Sequence, residues 1–351
     1  MVTKKEAYDL SRRNTFGMKV SCRLYVEVTE PEDLLTLDFD SLPQPLFVMG
    51  GGSNLLFTGD FPGTVLHVDN AVALDTLAVE PVGDGFIRVR IPAGVVFDDF
   101  CAWAASKDLW GPENLSLIPG EVGASAVQNI GAYGVEAKDI IDTVHAFDLQ
   151  ERRFVDIPGT DCAYGYRTSL FKTDWKGRYL ITSVTFRLST IPQPKLDYGG
   201  VRKALMDRGK GVPFPLSPND IRETIIDIRR QKLPDPEEIG SAGSFFCNPV
   251  ISREHFERIV ETARKDNGPE YEVPHYDVGD RVKVPAAWMI DQCGFKGARE
   301  GGAQVYPKQP LVIVNATGDA TPDEIVTLER RVIATIKEKY GIELHPEVEH
   351  V

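Results

Sequence analysis

The sequence predicts an α+β fold in two or three layers, because strand signals dominate its first half and helix signals its second half. In the first half, short apolar runs are broken by turns, and residues 86–91 alternate between apolar and polar as a half-buried strand does. In the second half, helix starts and stops are better marked. The proline-rich segment 191–194 is a candidate domain boundary. A chain of 351 residues accommodates two or three domains.

The first half is predicted to contain one clear helix among strands. The helix begins near Phe97, where Phe100, Ala104 and Leu109 follow at near-helical spacing, and Gly111 is expected to end it. The predicted strands cover residues 46–49, 65–68, 86–91 and 181–188.

Two helices are predicted after the boundary. The first opens at Ser217-Pro218, carries Ile221, Ile225 and Ile228 on one face, and stops before Leu233-Pro234. The second opens at residues 321–324, whose Thr-Pro-Asp-Glu sequence is a capping box with proline at the first helical position. Its apolar stripe is Ile325, Leu328, Val332 and Ile336, Gly341 ends it, and the chain then runs extended over residues 342–348.

The composition excludes several classes of protein. The net charge of −13, from 39 basic and 52 acidic residues, disfavours nucleic acid and anionic membrane as partners. No apolar run approaches the roughly 18 residues of a membrane-spanning helix, and the polar segment Met1–Val20 does not resemble a secretory signal. The five cysteines form no Cys-x-x-Cys pair, which favours free thiols in a reducing cytoplasm. The histidines show no metal-ligand spacing, so no metal is predicted and they are interpreted as structural or surface residues.

Two glycine-rich segments are candidate ligand sites. The first, residues 50–54 (Gly-Gly-Gly-Ser-Asn), follows an apolar strand, and its backbone N–H groups are able to converge on a phosphate. It lacks the Gly-Lys-Ser/Thr of a P-loop and the helix that follows a Rossmann loop, and a plain tight turn remains the alternative. The second, residues 118–134, is rich in glycine and alanine, with a close helix–sheet contact as its alternative. Together they favour a dinucleotide-type ligand.

Three shorter segments carry polar side chains that have two interpretations each. Arg167, among aromatic residues 164–172, either binds a carboxylate or phosphate or stacks on its own tyrosines. Ser244, within residues 240–249, is not in a Gly-x-Ser-x-Gly hydrolase elbow and is otherwise an ordinary turn serine. Glu347, in an extended segment near the chain end, is either a site residue or merely solvated.

Taken together, these segments resemble the UDP-N-acetylenolpyruvoylglucosamine reductase family, in its longer subclass with a lid tyrosine. Each matching segment is weak alone, but they occur in family order and span almost the whole chain, which makes the resemblance specific. The segments are residues 14–17, 50–55, 118–136, 165–172, 232–236, 240–249, 288–297 and 346–348.

The resemblance implies a two-part FAD-binding domain of the vanillyl-alcohol-oxidase (PCMH) type, followed by a C-terminal α+β substrate-binding domain. Residues 1–75 and 76–215 are expected to form the two FAD-binding subdomains, with a lid loop near 195–202. Residues 216–351 are expected to form the substrate domain, whose terminal strand returns to the active site.

The resemblance also implies an FAD-dependent oxidoreductase of peptidoglycan precursor synthesis, and thus of cell wall biogenesis, cell shape and cell division. NADPH reduces FAD, which then delivers a hydride to the methylene carbon of UDP-N-acetylglucosamine enolpyruvate, giving UDP-N-acetylmuramate. Arg167 and Glu347 match the residues that stabilise the enediolate, and Ser244 matches the proton donor. An ionised Glu347 would repel the enediolate, so we expect it to be protonated or oriented through Arg167.

The remaining site residues follow from the same resemblance. Tyr198 matches the lid tyrosine, Lys232 and Asn248 match substrate-binding positions, and Lys296 is a further substrate-binding candidate. FAD is expected to be non-covalent and the protein to be a cytoplasmic monomer. The expected FAD contacts are Gly50, Gly51, Gly52, Ser53, Asn54, Pro119, Gly120, Gly123, Ala124, Gln128, Asn129, Gly131, Ala132 and Tyr133.

Departures from the family pattern bear on local chemistry and substrate affinity. His345 and Cys247 stand where relatives often carry other residues, and little chain follows Glu347 to anchor its strand.

Two alternative functions remain: another FAD enzyme of this fold, such as an alcohol or lactone oxidase, and a non-enzymatic protein that binds flavin or a sugar nucleotide. The joint presence of Arg167, Ser244 and Glu347 argues against both.

Overall fold

The computed structural model describes residues 1–208 and 215–351, which form two compact units. Unit 1 is built from residues 1–9, 21–52 and 60–231, and unit 2 from residues 10–20, 53–59 and 232–351. Both units are therefore discontinuous in sequence. They divide the chain at residues different from the predicted boundaries, since 10–20 and 53–59 belong to unit 2 while the helix after residue 217 belongs to unit 1.

Strands and helices are numbered here in chain order. The strands are β1 Val2–Asp9, β2 Ser21–Val28, β3 Leu46–Val48, β4 Leu55–Leu56, β5 Phe61–Val68, β6 Val79–Gly83, β7 Phe86–Pro92, β8 Gly131–Ala132, β9 Val135–Glu136, β10 Ile141–Asp148, β11 Arg153–Pro158, β12 Tyr179–Ser189, β13 Gly240–Ser244, β14 Val250–Ser252, β15 Tyr276–Val278, β16 Arg281–Lys283, β17 Arg299–Glu300, β18 Ala303–Val305, β19 Val312–Asn315 and β20 Glu349–His350. The α-helices are α1 Phe97–Ser106, α2 Val122–Gln128, α3 Val201–Asp207, α4 Pro218–Lys232, α5 Arg253–Asn267, α6 Ala286–Gln292 and α7 Pro322–Tyr340.

The first sheet of unit 1 has the order β1-β2-β5-β3. Strand β5 runs parallel to both β2 and β3, whereas β1 is antiparallel to β2. Parallel pairing suits β5, whose residues from 63 onward are buried, because parallel strands are covered on both faces. The core beside this sheet includes Val26, Leu34, Phe39 and Leu66.

The second sheet of unit 1 is antiparallel in the order β11-β10-β12-β7-β6. Helices α1 and α2 bury their apolar residues in the core of this sheet. The rings of Phe100 in α1 and Phe186 in β12 stack with centroids 4.5 Å apart, an arrangement typical of well-packed aromatic cores. The predicted strands at 86–91 and 181–188 are both confirmed.

Helix α1 ends earlier than predicted. It stops at Ser106, and Leu109 lies beyond it because Asp108 takes a left-handed backbone conformation with φ +54°. The Leu109 N–H then bonds to the Ala104 carbonyl, which closes the helix end. Gly111 is therefore not the cap of this helix.

Helix α4 follows its prediction, from Pro218 to Lys232, and buries Ile221, Ile225 and Ile228. These residues pack with Trp110, Leu196, Val201 and Leu205 in a separate small core of unit 1. An ion pair ties α4 to α1: Arg222 Nη2 lies 2.9 Å from Asp98 Oδ2, and Arg222 Nη1 donates to Asp98 Oδ1.

Unit 2 contains an antiparallel sheet in the order β13-β19-β18-β17 and a small sheet in the order β14-β16-β15. Helix α7 confirms the predicted capping box, because the Thr321 hydroxyl accepts from the Glu324 N–H and the Glu324 carboxylate accepts from the Thr321 N–H. Its predicted stripe is buried and Gly341, with φ +67°, ends it.

The expectation that the strand after Glu347 has little to anchor it is wrong. Strand β20 pairs in parallel with β4, both in unit 2. The Val351 N–H donates to the Leu56 carbonyl, and the Thr58 N–H donates to the Val351 carbonyl, each at 2.9 Å. The pairing of β20 with β4 was not predictable from the sequence, because β4 is only two residues long.

Candidate functional site

The two glycine-rich segments meet within unit 1. A Cβ placed on Gly50 would lie 3.3 Å from Glu121 Oε2 and 3.4 Å from Ala124 Cβ. A Cβ on Gly51 would lie 3.5 Å from the Gly120 Cα. Gly52, with φ +65°, turns the chain. The backbone of residues 50–52 therefore packs closely against the second segment, and residues 50–52 together with Gly120, Gly123 and Ala124 are here called the cradle.

This cradle fits the diphosphate of a dinucleotide. Glycine-rich backbone allows close approach of a phosphate group. Gly123 also has a packing role, since a Cβ there would lie 2.9 Å from the Ala93 Cβ just after β7. The close helix–sheet contact that was the alternative for this segment is thus present at Gly123. Helix α2 was not predicted, because it is only seven residues long and contains Gly123 and two valines, which have low helix propensity.

The side chain of Arg167 is hydrogen-bonded to the second glycine-rich segment. The Arg167 guanidinium donates to the Gly131 carbonyl, and a Cβ on Gly131 would lie 2.8 Å from Arg167 Nη1. Arg167 also lies over the Tyr166 ring, 5.2 Å from its centroid, so the predicted stacking occurs as well. Its backbone is left-handed, with φ +56°.

Asn129 holds this turn in place. Its side-chain amide donates to the Gly165 carbonyl at 2.8 Å and to Glu136 Oε2 at 3.0 Å, and its carbonyl oxygen accepts from the Lys138 N–H. Asn129 is fully buried and has φ +49°, a conformation that asparagine tolerates better than most residues. The structure therefore gives Asn129, predicted as a cofactor contact, a bonding role inside the protein.

Tyr198, the predicted lid residue, lies beside Tyr133 in unit 1. A Cβ on Gly199 would lie 2.8 Å from Tyr133 Cδ1, and a Cβ on Gly134 would lie 3.1 Å from Tyr198 Cβ. Tyr198 is 45% exposed. Burial raises the pKa of Tyr133, and the nearby Arg229 guanidinium of α4 partly opposes this rise. Arg229 was not among the predicted residues, and its Nε is one of the described polar atoms buried without a partner.

Ser244 and Glu347 lie on adjacent segments of unit 2. The Glu347 N–H donates to the Phe245 carbonyl at 2.8 Å, and Phe246 and Pro346 form an antiparallel bridge. The backbone pairing thus brings Ser244, at the end of β13, next to the chain that carries Glu347. Asn54 secures this chain, since its Nδ2 donates to the Glu347 carbonyl and its own carbonyl accepts from the Glu349 N–H, each at 3.0 Å.

The other predicted substrate residues are also in unit 2. Lys232 and Lys296 are exposed, and Cys247 is half-buried. Asn248 Oδ1 accepts from the Ala286 N–H at 2.8 Å at the start of α6. All five cysteines are free thiols.

A buried histidine, His67, lies at the edge of the cradle. From the sequence, the histidines were interpreted as structural or surface residues. His67 Nε2 lies 3.0 Å and 3.1 Å from the two carboxylate oxygens of Glu121, and its Nδ1 lies 3.0 Å from the Tyr25 hydroxyl. His67 is 2% exposed. A histidine in an apolar strand and a glutamate among glycines are each unremarkable in sequence, and only folding brings them together.

Comparison with known proteins identifies relatives over the whole chain. Residues 24–151 match the family model of an FAD binding domain, and residues 235–351 match that of the UDP-N-acetylenolpyruvoylglucosamine reductase C-terminal domain. The UDP-N-acetylenolpyruvoylglucosamine reductase of Bacteroides fragilis (strain YCH46) is 44% identical over 351 residues, covering 99% of this chain and 100% of the relative. The reductases of Porphyromonas gingivalis (strain W83) and Neisseria meningitidis serogroup B are 41% and 39% identical, covering 99% and 97% of this chain and 99% and 95% of theirs.

A solved structure supports the same fold. The crystal structure of the reductase from Thermus caldophilus aligns with a TM-score of 0.66 and 21% identity, covering 100% of this chain and 98% of that chain. Within the described parts of the chain, no helix combines the length and apolarity needed to cross a bilayer.

Proposed function

The chain belongs to the UDP-N-acetylenolpyruvoylglucosamine reductase family, and from this premise we propose that it reduces UDP-N-acetylglucosamine enolpyruvate to UDP-N-acetylmuramate with NADPH. Its fold is α+β, with an FAD-binding domain of the PCMH type and a C-terminal domain, and it is an FAD-dependent oxidoreductase of peptidoglycan synthesis. The observation that carries the proposal is identity of 39–44% with named reductases over almost the full chain.

FAD supplies the hydride chemistry when it is bound. The residues proposed to hold its diphosphate are those of the cradle, namely Gly50–Gly52, Gly120, Gly123 and Ala124, because glycine and small side chains allow the backbone to approach a phosphate closely. The other proposed contacts are Ser53, Asn54, Pro119, Gln128, Asn129, Gly131, Ala132 and Tyr133.

Arg167 and Glu347 are proposed to stabilise the negative charge that develops on the substrate carboxylate. A guanidinium suits a carboxylate because its planar donors match the two oxygens. The bond from Arg167 to Gly131 supports this role, since it fixes the guanidinium before substrate arrives and lowers the reorganisation that catalysis requires. Glu347 is proposed to act as a protonated carboxyl, which donates to the developing charge rather than repelling it.

Ser244 is proposed to donate the proton that completes the reduction. A serine hydroxyl is a weak acid, so placement has to compensate for its low acidity. Its position at the end of β13, beside the segment that carries Glu347, supports a fixed geometry. The proton goes to the substrate carbon that does not receive the hydride.

Tyr198, Lys232, Asn248 and Lys296 are proposed to bind the sugar diphosphate. Lysine side chains offer point charges to phosphate, which explains how a chain of net charge −13 binds an anionic substrate locally. We also propose that the protein acts as a monomer in the cytoplasm.

Steady-state turnover tests the proposed function. Oxidation of NADPH by the purified FAD-loaded protein should require the enolpyruvyl sugar nucleotide, and mass spectrometry should show a product with two additional hydrogens. The same assay without that substrate, in air, measures oxidase activity. Turnover of oxygen with an alcohol would favour the oxidase alternative, and FAD binding without any turnover would favour a binding protein.

A further inference from the structure

We propose that His67 is a positioning residue for the FAD site, where it supplies the positive charge that compensates Glu121 at the wall of the cradle. This inference rests on the proposed function, because it requires FAD to bind at the cradle. Neither His67 nor Glu121 was among the site residues predicted from the sequence.

The geometry defines a short chain of side chains in unit 1. Tyr25 on β2 bonds to His67 Nδ1, and His67 on β5 reaches both oxygens of Glu121 through Nε2. Nε2 must carry a proton to bond a carboxylate, and the Tyr25 hydroxyl either accepts a hydrogen bond from Nδ1–H or donates one to an unprotonated Nδ1. A neutral ring with its proton on Nε2 and a doubly protonated ring both satisfy these bonds, and we assign the doubly protonated form because only that form offsets the charge of the Glu121 carboxylate.

The position of Glu121 makes its charge important. Its carboxylate oxygens lie 3.3 Å and 3.5 Å from the positions that a Cβ on Gly50 and on Gly51 would take. Although it is the residue before α2, its side chain does not cap that helix and turns to His67 instead. An uncompensated carboxylate at this position would repel a diphosphate held by the same glycines.

The side chains of His67 and Glu121 are both largely shielded from solvent. The His67 side chain is 3% exposed and that of Glu121 14%, so water screens the pair poorly. Removing one partner of a buried ion pair leaves a charge without compensation, whereas removing both leaves none. The change at His67 alone is therefore expected to weaken FAD binding more than the change at Glu121 or the double change.

The test measures FAD affinity of the FAD-free full-length protein, from flavin fluorescence at constant pH and salt. His67→Gln keeps a hydrogen-bond donor and removes the positive charge, so it should weaken FAD binding by at least about tenfold. Glu121→Gln should stay within about threefold of wild type, and H67Q/E121Q should return to within about threefold of E121Q.

His145→Gln is the matched control. His145 is also buried in unit 1 and bonds to Asp156 and Thr185, but it lies on β10 in the second sheet. H145Q should bind FAD like the wild type, and thermal unfolding of the FAD-free variants should show that each is folded. If H67Q does not fold, the FAD affinity of His67→Asn is measured in its place.

Three results would overturn the inference. The first is an H67Q variant that binds FAD as tightly as the wild type. The second is a double variant that binds FAD as weakly as H67Q. The third is that H67Q and H67N are both unfolded without FAD, which would mean that His67 stabilises the fold and not the FAD site. Failure of the proposed function is separate, since a wild type that binds FAD but does not reduce the enolpyruvyl substrate would leave this inference intact.

Discussion

Two residues of the second glycine-rich segment share an uncommon backbone conformation with Arg167, which bonds to that segment. Asn129, Tyr133 and Arg167 have φ values of +49°, +48° and +56°. Each such residue costs on the order of 1–3 kcal/mol and persists only where its surroundings enforce it. Here the enforcing contacts are the bonds from Asn129 to Gly165 and from Arg167 to Gly131. The strain accompanies residues proposed to act on cofactor and substrate.

Ser244 provides the sharpest prediction at this scale. Ser244→Ala should lower kcat by about 10²–10⁴-fold, because the proton donor is lost. Binding of FAD should be unchanged, and the measurement is product formation under saturating NADPH. Ser252→Ala is the control: Ser252 caps α5 by accepting from the His255 N–H, so its loss should reduce stability by about 1 kcal/mol and leave turnover unchanged. Full product formation by S244A would contradict the assignment.

At the scale of elements, the Asp98–Arg222 pair joins α1 to α4. Burial of Asp98 raises its pKa, but the Arg222 guanidinium and the Leu117 N–H outweigh this, and the pKa of Asp98 lies below its usual value. A lowered pKa means that ionised Asp98 stabilises the fold above about pH 4. That stabilisation is lost as the pH falls through the folded-state pKa.

Asp98→Asn should therefore reduce the free energy of unfolding by about 2–3 kcal/mol at pH 7, because it leaves Arg222 largely buried without its partner. The difference from wild type should shrink as the pH falls below about 4. Chemical denaturation across this pH range measures both effects. Asp75→Asn, which disrupts an exposed pair with Lys107, should change stability little at any pH. A difference for D98N that does not depend on pH would contradict the electrostatic account.

Elements with local signals were predictable from sequence. The capping box at Thr321 and the prolines that flank α4 fix backbone conformation through neighbouring residues, and both helices are confirmed. Elements whose stability depends on distant partners were missed or misjudged. Helix α2 is only seven residues long and contains a glycine, β1 is polar and has no buried residue, and β4 pairs with a strand from the other end of the chain.

At the scale of the whole molecule, the two units interleave in sequence. Segments 10–20 and 53–59 belong to unit 2 although unit 1 surrounds them in the chain. Local sequence patterns do not indicate such a division, because the hydrogen bonds that create it, such as the bond from Asn54 to Glu347, join residues far apart in the chain. The resemblance indicated the family and the α+β fold correctly, and the roles of Arg167, Ser244 and Glu347 remain proposals.

The most direct test of the central claim follows the flavin spectrum of the whole protein without oxygen. The account predicts that absorbance near ~450 nm disappears when NADPH is added and returns when the enolpyruvyl sugar nucleotide follows, because each reaction then proceeds separately at the same site. Disappearance without return would contradict the proposed substrate. A protein that cannot be loaded with FAD would contradict the whole account.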